Sequence, residues 1–270
     1  HVGDRSVPLR LFRPVTAPGA GAGDAALVYF HGGGWMVGDL DGTEPVCRAL
    51  ANRIGAVVLS VDYRLAPEWR YPAAADDARD AVAWVLERAS TLGIDPARVA
   101  VGGDSSGGNV ALAACLALRE RGGPVPVAQL LVYPVTHCAL DAEGFASDLD
   151  SAVLSASTMA WYCRQYLAAD RDPAAAALRA AEAAASPLLA PSLVGLPPTV
   201  VVSAALDVLR PQIDAFAVRL AEAGVEVIRQ HYDGVFHGFF TMAPAVAKAG
   251  IAVDAAARAL RPILGISPVS

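Results

Sequence analysis

The sequence predicts an α/β fold in which a mostly parallel sheet carries helices on both faces. Three observations predict it. Short apolar runs alternate with helix-period segments along most of the chain, the order that crossover helices between parallel strands require. The runs are mostly apolar, as strands buried on both faces are. The chain is also long and apolar enough for a sizeable core, with 270 residues, 54% hydrophobic and 18% charged.

The elements follow in order. Residues 7–13 alternate apolar and polar, as a half-exposed strand does, and a Pro/Gly/Ala loop occupies 14–23. Residues 26–30 and 57–61 are buried-type strands, with helical spacing over 46–54 between them. Residues 73–91 form a long amphipathic helix with Ala78, Val82, Val85 and Leu86 on one face. A strand at 99–103 precedes an alanine-rich helix at 110–121. Strands at 129–133 and 199–204, a helix at 213–223, a strand at 225–232 and a helix at 245–260 complete the alternation. The segment 136–198 breaks the rhythm with a helix-like stretch at 157–167 and an alanine-rich run at 174–185. It is too long for a plain connection and reads as a cap or lid inserted into a single domain.

Composition excludes several classes. A net charge of −6 without a basic cluster argues against a nucleic-acid partner. No apolar run reaches the roughly 18 residues that a membrane span needs. Cys47, Cys115, Cys138 and Cys163 form no CxxC pair, so neither a disulfide framework nor a zinc site is expected. Cys115 falls in the helix at 110–121 and reads as a small buried hydrophobe. The chain opens at His1 without a signal-like segment, and its compartment is not legible; cytoplasmic is the default expectation.

One short run suggests a chemistry. Gly103-Asp104-Ser105-Ser106-Gly107-Gly108 lies between the strand at 99–103 and the helix at 110–121. Strand, Gly-x-Ser-x-Gly turn and helix make a nucleophile elbow, which leaves a serine hydroxyl exposed on a strained turn. The free N–H groups of the helix start behind it face any negative charge that develops there. The same letters also occur as ordinary glycine turns, so the rest of the chain must supply a base, an acid and an oxyanion site.

His237 is the candidate base. It sits in the glycine-flanked stretch Gly234-Val235-Phe236-His237-Gly238-Phe239, after a strand, where parallel sheets build their sites. His231 lies inside that strand and reads as structural, and His137 lies in the insertion. Asp207 directly follows the strand at 199–204 and completes the order Ser, Asp, His. Asp214 and Asp233 are the alternatives, and any of the three could instead be a helix cap or a solvated charge. His31-Gly32-Gly33-Gly34-Trp35 follows the strand at 26–30. Its glycines allow close backbone approach, so the N–H groups of Gly33, Gly34 and Ser106 are candidate oxyanion donors. No GxxxxGK[ST] run points to a phosphate cradle instead.

HGGGW, DYRLAPE (62–68), YPAAADD, GDSSGG, SPLLA (186–190), GLPP (195–198), DVLR and FHGF occur in this order. This pattern resembles the hormone-sensitive lipase-like family of bacterial carboxylesterases, which have the α/β-hydrolase fold. The resemblance covers nearly the whole chain, from about residue 7 to residue 260, and DYRLAPE makes a chance match very unusual. It implies Ser105 as nucleophile, Asp207 as acid, His237 as base, and Gly33, Gly34 and Ser106 as the oxyanion hole. It also implies that His31 and the Tyr63-Arg64-Leu65 stretch support the loops. The chain departs from the family pattern in four places. Pro211 stands where a second aspartate usually follows the acid. Ser106 replaces the usual alanine but keeps its N–H. The run at 174–185 is longer than usual. The N-terminal cap helices of the family are absent from this chain.

The implied reaction is hydrolysis of a small-molecule carboxylic ester of short or medium acyl chain, without metal or organic cofactor. Trp35, Trp161, Tyr162 and Phe236 are candidates for the substrate pocket, although aromatics at such spacing are more often plain core. An amide, carbamate or lactone hydrolase would use the same triad, and a silent small-molecule receptor would keep the fold without the chemistry. Retention of Ser105, Asp207 and His237 speaks against the receptor. A homodimer is as compatible with these residues as a monomer.

Overall fold

The computed structural model describes residues 6–15, 24–150 and 153–267. Among these, strands β1 (Leu9–Phe12), β2 (Asp24–Phe30), β3 (Val57–Val61), β4 (Ile94–Asp104), β5 (Ala128–Val132), β6 (Thr199–Leu206) and β7 (Val227–Phe236) form one sheet. Its order is β1-β3-β2-β4-β5-β6-β7. β1 runs antiparallel to β3, and every other neighbouring pair is parallel. Helices α1 (Leu40–Ile54), α2 (Ala73–Arg88), α3 (Ser106–Glu120), α6 (Arg210–Glu222) and α7 (Ala247–Ile263) supply the crossovers. α1 packs with α7 and α2 with α3, so both faces of the sheet are covered. β3 and β5 are buried at every residue, Ser60 and Gln129 included, as strands covered on both faces are. β7 lies at an edge and alternates, with Arg229, His231 and Asp233 exposed. Charges along an edge also discourage pairing with another chain.

Several boundaries differ from the sequence expectation for local reasons. α1 begins at Leu40, ahead of the expected 46, because the Asp39 carboxylate caps it by accepting the Gly42 N–H at 2.7 Å. Pro45 lies inside this helix, where it reads as a breaker, yet it forfeits only one backbone bond near the start. α1 ends at Gly55, whose φ of 74° gives the left-handed cap. β4 is longer at its start than 99–103, and β7 runs on to Phe236, one residue before His237. The run at 174–185 is helical only over α5 (Pro173–Ala180), which opens with Asp172 as cap and Pro173 in the first turn. The expected loop at 14–23 falls mostly outside the described residues, and so does His1. No helix among the described residues is long and apolar enough to cross a membrane.

The segment between β5 and β6 leaves the sheet and carries α4 (Ala156–Tyr166) and α5. It is tied back at several points. Tyr71 N–H donates to the Tyr166 carbonyl at 2.9 Å, and the Tyr71 hydroxyl donates to Glu182 at 2.6 Å. The Asn109 side chain, buried in α3, donates to the Val135 and Ala185 carbonyls. The start of this segment and Ala185 within it therefore anchor close to the helix that starts behind Ser105.

Candidate active site

Four strand ends define the site. β2 leads into His31-Gly32-Gly33-Gly34, β4 into Ser105, β6 into Asp207 and β7 into His237. All are carboxyl ends of parallel strands, the edge where open α/β sheets bind ligands. Residues separated by up to 206 positions in sequence thus share one end of the sheet.

Ser105 has φ 57° and ψ −121°, a region that side-chain-bearing residues rarely adopt. The surroundings impose it. Ser105 N–H donates to the Val132 carbonyl at 2.9 Å, and the Ser105 carbonyl accepts from Asn109 and Val135 N–H at 3.2 Å each. The elbow also presses against β2. A Cβ on Gly107 would lie 2.0 Å from the Phe30 carbonyl oxygen, so only glycine fits there. Ser106 opens α3, and the first N–H groups of a helix have no partner within it.

His237 Nε2 lies 2.9 Å from Ser105 Oγ, and His237 Nδ1 lies 2.8 Å from Asp207 Oδ2. Asp207 has essentially no exposure, and its second oxygen accepts the Leu209 N–H at 2.9 Å. An ionised carboxylate can only accept, so Nδ1 carries the imidazole proton and Nε2 is left to accept from the serine. The two other candidate acids are engaged elsewhere. Asp214 pairs with Arg229, and Asp233 faces His231 at 3.6 Å in solvent. Pro211 occupies the start of α6, and the Leu209 N–H supports the Asp207 carboxylate from within the same loop.

The glycine loop is held from behind. The Tyr63 hydroxyl donates to the His31 carbonyl at 2.7 Å, and the two rings stack at 4.5 Å. Arg64, in the same stretch, forms a bidentate pair with fully buried Asp77 of α2 at 2.8 Å on each oxygen. The supporting role expected of Tyr63 and Arg64 is therefore visible as contacts. Gly34 has φ 61°, and a Cβ there would lie 2.3 Å from Tyr162 Cδ1.

The family model for the α/β hydrolase fold matches residues 27–241. The chain belongs to the α/β-hydrolase family. It is 40% identical over 249 residues to the ethyl acetate hydrolase of Pseudomonas putida, an alignment covering 90% of this chain and 74% of that one. It is 39% identical over 242 residues to the carboxylic ester hydrolase LipN of Mycobacterium tuberculosis, covering 87% of this chain and 61% of LipN. The structure superposes on a hyperthermophilic esterase from Pyrobaculum calidifontis with a TM-score of 0.85 at 36% identity, covering 97% of this chain and 82% of that one. These relatives put the chain among the esterase- and lipase-like hydrolases, and the resemblance to hormone-sensitive lipase-like carboxylesterases holds.

The pocket candidates of this hydrolase fall apart into different places. Trp35 is fully buried and stacks face to face on Tyr166 at 4.3 Å, so its ring belongs to the core and is withdrawn from the pocket set. Tyr162, on α4, lies over Gly34 of the glycine loop. Trp161 is 49% exposed and meets Tyr162 edge-on at 5.2 Å. It lines a separate cleft of about 310 Å³ with Leu140, Ser157 and Arg164 on the outer side of α4. Phe236 is half-buried beside His237 in sequence.

Sequence reasoning missed three residues. The Tyr133 ring is fully buried 4.6 Å from the His237 ring and limits its movement. The Asp104 carboxylate accepts from the Tyr29 hydroxyl at 2.9 Å and the Gly32 N–H at 3.1 Å. Burial pushes the Asp104 carboxyl above the usual carboxylate range, and the Tyr29 hydroxyl pulls it back. A hydroxyl in the otherwise apolar run 25–30 is the signal for Tyr29, and spacing carries none for the other two. The cysteines are all buried, and burial pushes the Cys47 and Cys115 thiols up to about 12, which leaves them inert near neutral pH.

Proposed function

We propose that the chain is a serine carboxylic-ester hydrolase that works through Ser105, His237 and Asp207. The observation that carries this reading is the continuous hydrogen-bond chain from Ser105 Oγ through the imidazole to Asp207, at 2.9 and 2.8 Å. Ser105 Oγ attacks the ester carbonyl carbon while His237 Nε2 takes its proton. Asp207 keeps the second proton on Nδ1 and stabilises the imidazolium that forms. The oxyanion accepts from the N–H groups of Gly33, Gly34 and Ser106, each contributing roughly 10²–10³ in rate. Collapse expels the alcohol, which takes the proton from His237, and leaves an acyl ester on Ser105. His237 then deprotonates a water, which attacks that ester; the acyl–Oγ bond breaks, Ser105 Oγ takes the proton back from His237, and the acid is released. The scheme uses no metal or cofactor.

The substrate is a small ester of short or medium acyl chain. Residues 136–198 act as a cap on one domain, with Tyr162 over the glycine loop and Phe236 beside the base. Trp161 is left out of the pocket, because it faces a different cleft.

The test is turnover of p-nitrophenyl acetate together with labelling by a fluorophosphonate probe. Wild type is expected to do both, and Ser105→Ala to lose labelling and on the order of 10⁶ in kcat with an unchanged circular dichroism spectrum. Residual turnover of the alanine variant within tenfold of wild type would sink the assignment.

A further inference from the structure

We infer that Asp104 is a positioning residue that clamps the glycine loop to the nucleophile elbow and so sets the two halves of the oxyanion hole against each other. This deepens the ester-hydrolase reading and rests on it. Two of the proposed donors, Gly33 and Gly34, lie on the loop after β2, and the third, Ser106, opens α3 after β4. These halves must converge on one oxygen at about 2.7–3.1 Å, and a misplacement of about 1 Å costs on the order of 10² in rate.

Asp104 joins them at the shortest distance the chain allows. It is the residue immediately before Ser105, and the group it holds, Gly32 N–H, immediately precedes Gly33. The Asp104 oxygen that accepts from Gly32 also accepts from Tyr29, so the tyrosine fixes the orientation of the carboxylate. β2 and β4 are neighbours with Tyr29 opposite Gly102, and strand alternation puts Gly102 and Asp104 on one face. The other carboxylate oxygen lies flat against the loop, since a Cβ on Gly32 would sit 2.3 Å from it. On another side the loop borders a cavity of about 390 Å³, shared with Asp39, Thr43, Val46 and Thr241. Within its own turn the Gly33 carbonyl accepts from the Met36 and Val37 N–H groups at 3.1 Å each, and the carboxylate adds a tie from that turn to the elbow.

Three variants test this. Asp104→Asn keeps a carbonyl oxygen able to accept both bonds, Asp104→Ala removes it, and Tyr29→Phe removes only the group that orients it. The readouts are kcat and KM for p-nitrophenyl acetate, and amide hydrogen exchange of the peptide spanning residues 31–38. In Asp104→Ala, kcat is expected to fall on the order of 10² with KM within about threefold, and exchange of the loop to quicken. Asp104→Asn is expected to restore both to within about fivefold of wild type. Tyr29→Phe keeps the buried ring, and an intermediate loss with quickened exchange is expected, which decides the matter if the alanine variant does not fold. The inference is overturned if the alanine variant keeps kcat within threefold, if asparagine is as damaging as alanine, or if exchange of the loop is unchanged. The exchange arm needs no catalysis, so a wild type that turns over no ester indicts the ester-hydrolase reading while the clamp is still decided.

Discussion

Ser105 is kept in a backbone conformation that costs about 1–3 kcal/mol, and three backbone hydrogen bonds at the elbow maintain it. Its proposed partners are equally constrained. Tyr133 packs on the His237 ring, and Asp207 is pinned through both of its oxygens. The assignment of the acid is the sharpest residue-scale prediction. Asp207→Asn is expected to lower kcat by about 10⁴, because an amide N–H toward Nδ1 favours the wrong imidazole tautomer. Asp233→Asn is expected to leave kcat within about twofold, since Asp233 is solvated and faces His231. Steady-state rates of the two variants at matched thermal stability check this. A larger loss in Asp233→Asn overturns the acid assignment. At this scale the sequence favours Asp207 over Asp214 and Asp233 by its place directly after β6, and the structure puts its Oδ2 2.8 Å from the imidazole.

Among elements, the loop after β3 matters more than its lack of regular structure suggests. Tyr63 holds the His31 carbonyl, and Arg64 ties the same loop to Asp77 in α2 through both carboxylate oxygens and the Arg64 backbone N–H. Asp77 is fully buried, so removing the Arg64 guanidinium takes a bidentate charge pair out of the core. Arg64→Ala is expected to destabilise the fold by about 3–5 kcal/mol, and Arg64→Lys to recover only part, because an ammonium cannot span both oxygens. The urea midpoint at unchanged m-value measures it. A loss below about 1 kcal/mol in the alanine variant would show that the pair is dispensable. The helices themselves were largely legible from their period. The start of α1 was not, because an aspartate cap overrides the apparent break at Pro45. The far end of β7 was not either, because an edge strand with charged residues lacks a continuous apolar run.

For the whole molecule, the sheet brings the proposed catalytic residues to one end, and the segment between β5 and β6 is proposed to fix what fits there. That segment offers little to enclose a long tail. Met159, Tyr166 and Leu167 are buried in the core, and Trp161, Leu178 and Leu189 are exposed. Each buried CH₂ is worth roughly 0.8 kcal/mol, so a deep apolar tunnel would reward every added carbon. Without one, kcat/KM across p-nitrophenyl esters from acetate to palmitate, below their aggregation limits, is expected to stop rising after a handful of carbons. A steady rise through the longest chains would reveal an acyl tunnel and refute the short-chain preference.

The sequence by itself determined the fold class, the order of strands and helices, and the identity of Ser105, Asp207 and His237 as residues to watch. It could do so because period, glycine spacing and motif order are local properties written along one dimension. The tertiary structure alone decided that Trp35 stacks on Tyr166 in the core, that Trp161 lines another cleft, and that Asp104 reaches back to Gly32. Those facts depend on the register of β2 against β4 and on the direction of each side chain after packing. Neither is encoded in spacing, because residues distant in sequence meet only when the parallel sheet aligns their strand ends.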